Sequence, residues 1–130
     1  MKKIFKILSM MVCIFMMVGC SAGKLSDKYN EEDLKVEAEK VIKNLNDKNY
    51  DTILEGSSDE LKNALPDNKL KETWEGFSEN IGDYDSILKM TFAEKNGYGV
   101  AIVNVKSKNK KVTFTLSFNS EMKLSGIYMK

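Results

Sequence analysis

The chain has 130 residues, with 20 Lys, no Arg, no His and 19 acidic residues, for a formal net charge of +1. That length suits one domain, large enough to fold without disulfides or a structural metal. The missing His removes the commonest general base and metal ligand, the missing Arg removes the bidentate phosphate clamp, and the near-neutral charge argues against nucleic-acid binding.

Residues 1–19 read as a signal peptide. Lys2, Lys3 and Lys6 give a positive start, and Ile7 to Val18 is an almost wholly apolar run of twelve residues. A spanning helix needs about 20 apolar residues, so this length suits a signal core instead. The run ends in Met17-Val18-Gly19-Cys20, which resembles the lipobox of bacterial lipoproteins. The resemblance implies cleavage between Gly19 and Cys20 and a diacylglyceryl thioether on Cys20. Two acyl chains anchor stably, which places the mature protein on the outer face of the cytoplasmic membrane. An ordinary signal peptide, or a short uncleaved anchor with an incidental Cys, is the competing reading, and the Cys set directly after Gly favours the lipobox. Cys13 is cut away with the leader, so no thiol remains for a disulfide, a metal or a nucleophile. Removing Lys2, Lys3 and Lys6 from the 20 Lys leaves 17 against 19 acids, a net charge of −2. Residues 20–30 are expected to be the lipidated Cys and a polar tether, with a single α+β domain over 31–130.

The domain opens in helical period. Leu34, Ala38, Val41, Ile42 and Leu45 make one apolar stripe, with Lys and Glu on the other face. Asn46 to Asn49 are turn-prone and end it. Tyr50 to Leu54 reads as a short helical turn, stopped by Gly56. Ser57 with Glu60 fits a capping box for a helix over 58–65, which Pro66 terminates. Asp67 or Asn68 is expected to cap a third helix, whose stripe is Leu70, Trp74, Phe77 and Ile81 and whose end is Gly82.

The period then changes from 3.6 to 2. Ile87 to Phe92 is β-prone, and Asn96-Gly97 is a hairpin turn signal. Val100, Ile102, Val103 and Val105 mark a second strand, and Lys106 to Lys111 a charged turn. Val112, Phe114, Leu116 and Phe118 alternate with Thr113, Thr115 and Ser117 in the clearest strand of the chain. After Asn119-Ser120-Glu121, Met122, Leu124 and Tyr128 predict a last strand. Helices followed by strands read as α+β, with N-terminal helices packed on a curved four-stranded antiparallel meander.

The stretch from Ala38 through Asn49-Tyr50-Asp51, then Ser58-Asp59-Glu60-Leu61-Lys62, Leu65-Pro66 with Leu70 and Trp74, Gly82-Asp83-Tyr84 and Leu124-Ser125-Gly126-Ile127-Tyr128, carries a family resemblance over about residues 33–129. It resembles an uncharacterised family of small secreted or lipid-anchored modules of Gram-positive bacteria. In other members the module precedes an alpha/beta-hydrolase domain. The family is similar to the nuclear-transport-factor-2-like superfamily. That implies a cone, with a curved sheet around the helices and a pocket at the open end. Enzymes of that superfamily place an Asp or His in the pocket. This chain has no His, and no Asp falls on an inward strand position.

The candidate pocket lining is therefore aromatic: Trp74, Phe77, Phe92, Phe114, Phe118 and Tyr128. The same spacing equally describes a packed core. Tyr50, Tyr84, Tyr98 and Tyr128 offer hydroxyls for a ligand or for rim packing. Asp59-Glu60 reads as a helix first turn and Asp83 with Asp85 as turn residues, not as catalytic pairs. Asp47, Asn49 and Asp51 lack the Gly and the distal Glu of a calcium loop. Lys106, Lys108, Lys110 and Lys111 read as a solvated turn, with anionic lipid heads or cell-wall polymers as the alternative contact. No catalytic residue, metal or cofactor is expected. The chain reads as a non-catalytic, lipid-anchored binding module for a small apolar ligand, a peptide or a partner protein. The alternatives are a structural or homodimeric module without a pocket and, last, an enzyme of unknown substrate.

Overall fold

The computed structural model describes residues 25–66 and 68–130. The expected leader, the cleavage site at Gly19 and the lipidated Cys20 lie outside the described residues, as does Asp67.

The first helix, α1, spans Glu31–Asn46 and buries Leu34, Ala38, Val41, Ile42 and Leu45, the whole predicted stripe. Its start is set by Asn30, whose side chain accepts from the backbone N–H groups of Glu32 and Asp33 at 2.8 and 3.4 Å. Glu31, Glu32 and Asp33 add negative charge at the positive end of the helix dipole. Helix α2 (Tyr50–Glu55) buries Ile53, and α3 (Asp59–Ala64) buries Leu61. Helix α4 (Lys69–Ile81) buries Leu70, Trp74 and Ile81. Gly82 ends α4 as expected, at φ 81°, with its N–H donating to the Ser78 carbonyl at 2.9 Å.

One cap assignment differs from the sequence reading. Ser58, not Ser57, caps α3, accepting from the Leu61 N–H at 3.3 Å. Ser57 instead forms a parallel bridge with Leu124. The Ser58 N–H donates to the Leu124 carbonyl at 2.8 Å, and the Leu124 N–H donates to the Gly56 carbonyl at 2.9 Å. A long-range pairing therefore outcompetes the local cap at Ser57. Asn68 occupies the cap position of α4 but makes no side-chain cap bond. Its backbone is left-handed, φ 60°, whereas a capping side chain normally hangs from an extended residue.

The strands β1 (Tyr84–Lys95), β2 (Tyr98–Ser107), β3 (Lys111–Phe118) and β4 (Leu124–Met129) pair in that order as an open antiparallel sheet. The β1–β2 turn is Asn96-Gly97, with φ of 54° and 84°, the doubly left-handed turn that Asn-Gly favours. Strand β1 is longer than the predicted run, since pairing with β2 recruits its flanks. It is an edge strand, and register shifts at Asp85 and Leu88 break its regularity, which discourages pairing with another edge. Paired residues share a face. One face therefore carries Val103, Val105, Val112, Phe114, Leu116 and Phe118, all nearly inaccessible. The helices cover this face, and their buried residues join it in one core.

Strand β4 departs from the predicted alternation. Met122 lies in the preceding turn at φ 62°. Leu124 pairs with Phe118, but Gly126 already pairs with Ser117, so Ser125 is an extra residue. That bulge puts Ile127, opposite Leu116, on the core face and turns Tyr128, opposite Thr115, to the other side.

The expected tether is docked from Leu25 onward. Leu25 packs against the core and Tyr29 is 6% exposed. Tyr29 sits just before the cap Asn30, and Leu34 lies four residues into α1, the spacing of a hydrophobic staple.

Candidate functional site

The candidate aromatics divide into three places. Trp74 and Phe77 project from α4 because they lie three residues apart on one helix face. The Trp74 ring stands 6.4 Å from Phe77 and 6.0 Å from Phe114, centroid to centroid, in tilted contacts. These three form the centre of an apolar cluster, with Trp74 and Phe114 buried and Phe77 half-buried. Phe92 is half-buried on the same sheet face and packs against the same core, as do Ile87, Met90 and Met129. Phe118 is 1% exposed at the C-terminal end of β3, paired with Leu124. Tyr128 lies on the opposite face and is no part of the inner group, because the β4 bulge reverses its side. The structure brings Trp74, Phe77 and Phe114 together and sets Phe92 on the same inner sheet face; Ile87, Met90 and Met129, absent from the expected lining, share that face, and their apolar positions on the strands were the available signal.

The interior holds little chemistry. Its buried polar residues among those described are Ser57, Ser58, Ser107 and Ser117. Ser57 Oγ donates to the Ile53 carbonyl at 2.7 Å, and Ser58 Oγ caps α3. No described buried side-chain oxygen or nitrogen lacks a partner. Asp59 and Glu60 are exposed in the first turn of α3. Asp83 and Asp85 are exposed too, and Asp85 lies 3.8 Å from Lys106 across a solvated ion pair. No group of three metal-ligating residues is found among the described residues. None of the described helices is long and apolar enough to cross a membrane.

Two tyrosines and one glutamate have shifted protonation. The Tyr50 hydroxyl donates to Glu75 Oε2 at 2.9 Å, tying α2 to α4. Burial, then the bond to Glu75 and its negative charge, push this hydroxyl up to about 12. Burial likewise raises Tyr29, partly opposed by the backbone at Gly99. The Tyr29 hydroxyl donates to the Gly97 carbonyl. Glu94 is held below its ordinary value by bonds from Ser26, whose N–H donates to Glu94 Oε1 at 2.8 Å, with Lys28 adding to the effect. These groups hold segments together and do not converge on one cleft. A shallow open depression of about 320 Å³ between α2 and α3, lined by Asp51, Leu54, Glu55 and Lys62, is separate from the aromatic cluster.

The outer sheet face carries Lys89, Thr91, Ile102, Asn104, Thr113, Thr115 and Tyr128. Thr113 Oγ1 donates to Asn104 Oδ1 at 3.0 Å across the β2–β3 pair.

Residues 38–127 match the model of a family described as "Protein of unknown function (DUF3887)". The chain belongs to this family. The match runs from within α1 to within β4, so the family module includes both the helical layer and the sheet. The fold of this DUF3887 chain is similar to that in "NMR structure of protein from Ruminococcus gnavus ATCC 29149", with a TM-score of 0.69 at 20% identity. That similarity covers 83% of this chain and 97% of the other, and concerns the fold alone. No curated protein matches this member of the family.

Proposed function

We propose that this DUF3887 protein is an extracytoplasmic lipoprotein, anchored by acyl chains on Cys20, whose domain is a non-catalytic binding module for an apolar ligand or peptide. The binding surface is the half-buried apolar rim around Trp74 and Phe114, formed by Phe77, Met90, Phe92 and Met129. The Gram-positive lipoprotein origin and the cone-like, nuclear-transport-factor-2-like architecture belong to the same reading.

The observation that carries it is the contrast between that rim and the interior chemistry. The aromatic cluster is apolar and only partly covered at Phe77 and Phe92. The buried polar side chains among the described residues, in contrast, are four serines, of which Ser57 and Ser58 serve backbone groups. Apolar surface beside an aromatic anchor favours binding, while acid–base chemistry needs titratable groups aimed at a cleft.

Trp74 is the sole tryptophan and touches Phe77, so its emission reports on this rim. The test is titration of residues 21–130 with an apolar naphthalene sulfonate dye, followed at Trp74 and by native mass spectrometry. Saturable binding that Phe77→Ser weakens supports the reading. A protein that binds no apolar probe and runs as a bare dimer supports the structural alternative, in which the outer sheet face pairs with a second copy.

A further inference from the structure

The chain between the lipid and the domain is short, and its first described residues are fixed at one end of the sheet. Ser26 is bonded to Glu94 in β1 at 2.8 Å, and Tyr29 to the carbonyl of Gly97 in the β1–β2 turn. The Tyr29 ring lies so close over Gly99 that a Cβ there would stand 2.6 Å from its Cδ1. The strand order puts the β3–β4 turn, 119–123, at this same end. The opposite end carries the β2–β3 turn with Lys106, Lys108, Lys110 and Lys111. It is held against the end of α4 by the Lys108 N–H on the Asp83 carbonyl and the Asn109 N–H on the Ile81 carbonyl, both at 2.8 Å.

Lengths decide which end meets the bilayer. Cys20 to Leu25 is five residues, which span at most about 18 Å when fully extended. From Gly99, paired with the Glu94 that holds Ser26, strand β2 runs to Ser107, about 26 Å at a rise near 3.3 Å per residue. The leash is shorter than the sheet, so the lysine turn cannot be the end that rests on the membrane.

From this we infer that the β1–β2 and β3–β4 turns form the membrane-facing end of the domain, seated at the phospholipid headgroups, with the lysine turn directed outward. The inference rests on the Cys20 anchor of the proposed function. Charge does not set this orientation: Lys28, Lys95 and Lys123 towards this end are matched in number by Asp27, Glu94 and Glu121. Restraint by the leash therefore persists in salt, whereas attraction of the lysine turn to anionic lipid would be screened away.

The test uses the lipidated mature protein on vesicles of phosphatidylcholine and phosphatidylglycerol that carry a headgroup spin label. A fluorophore is placed through Ser120→Cys or Asp83→Cys, both exposed, at the near and far ends. The Cys20 sulfur is already in a thioether and does not compete for the label. Quenching several-fold stronger at position 120 than at 83, unchanged by high salt, is expected. A flexible Gly-Ser insertion after Gly23 leaves the described domain untouched and should bring the two positions towards equality. Equal quenching in the uninserted protein while it remains vesicle-bound overturns the orientation and leaves the anchor standing. Protein that stays in solution overturns the anchor, and the orientation with it.

Discussion

Gly99 shows how much a single missing side chain decides. A methyl there would stand 2.6 Å from Tyr29 and 3.0 Å from Leu34, which is fully buried. Gly99→Ala is expected to destabilise by about 1–3 kcal/mol through overpacking, read as a lowered urea midpoint. The contact also shows a docking signal within residues 25–30 that composition hides. SAGKLSDKYN is polar overall, and composition hid the one ring that docks; the Tyr29–Asn30–Leu34 staple spacing carried the signal. Tyr50 makes the pH dependence explicit. Its folded hydroxyl titrates near 12 against 10.0 ordinarily, so its contribution is complete below pH 10 and fades as pH rises towards 12. Tyr29 shifts in the same direction. Denaturant midpoints should therefore fall across that alkaline window, and less steeply in Tyr50→Phe. At neutral pH Tyr50→Phe should lose about 1 kcal/mol with its hydrogen bond to Glu75. Glu94 has the opposite sign: its hold on Ser26 is present above the ordinary 4.5 and weakens as pH falls.

At the scale of elements, local signals were readable where nothing distant competed. The α1 stripe, the Gly82 stop and the Asn96-Gly97 turn rest on spacing and backbone preference, and all three stand as read. Ser57 and Tyr128 were misread for a common reason. Each depends on the course of β4: Ser57 bridges Leu124, and the extra residue Ser125 turns Tyr128 away from Phe114. Neither a bridge nor a bulge has a period. The cap assignment is directly testable. Ser58→Ala should cost about 1 kcal/mol, while Glu60→Ala, with no reciprocal role, should stay within about 0.5 kcal/mol. A capping box centred on Ser57 would give a clear loss for Glu60→Ala. Among core positions, Phe114→Ala should cost about 3–5 kcal/mol, since it removes a 1% exposed ring that packs on Trp74.

For the molecule as a whole, the helical layer and the open four-stranded sheet followed from the switch of period, read from Ile87 onward. The candidate site was legible only in part. Helical spacing joined Trp74 to Phe77 and strand alternation supplied Phe114, but which aromatics stay half-covered depends on how α4 lies across the sheet. For a protein anchored as proposed, the order of the ends has a plain consequence: Leu25 and Ser26 lie on the side of the β1–β2 hairpin, and Lys130 pairs with Thr113 near the lysine turn, at the far end. Everything in this arrangement hangs on Cys20. The most direct measurement is the intact mass of the protein purified from membranes of cells expressing the full chain, beside Cys20→Ala. A chain that begins at Cys20 and carries diacylglyceryl mass, absent from the membrane fraction in Cys20→Ala, is the expected result. A chain that begins elsewhere, carries no acyl mass or is retained equally in both forms contradicts the account.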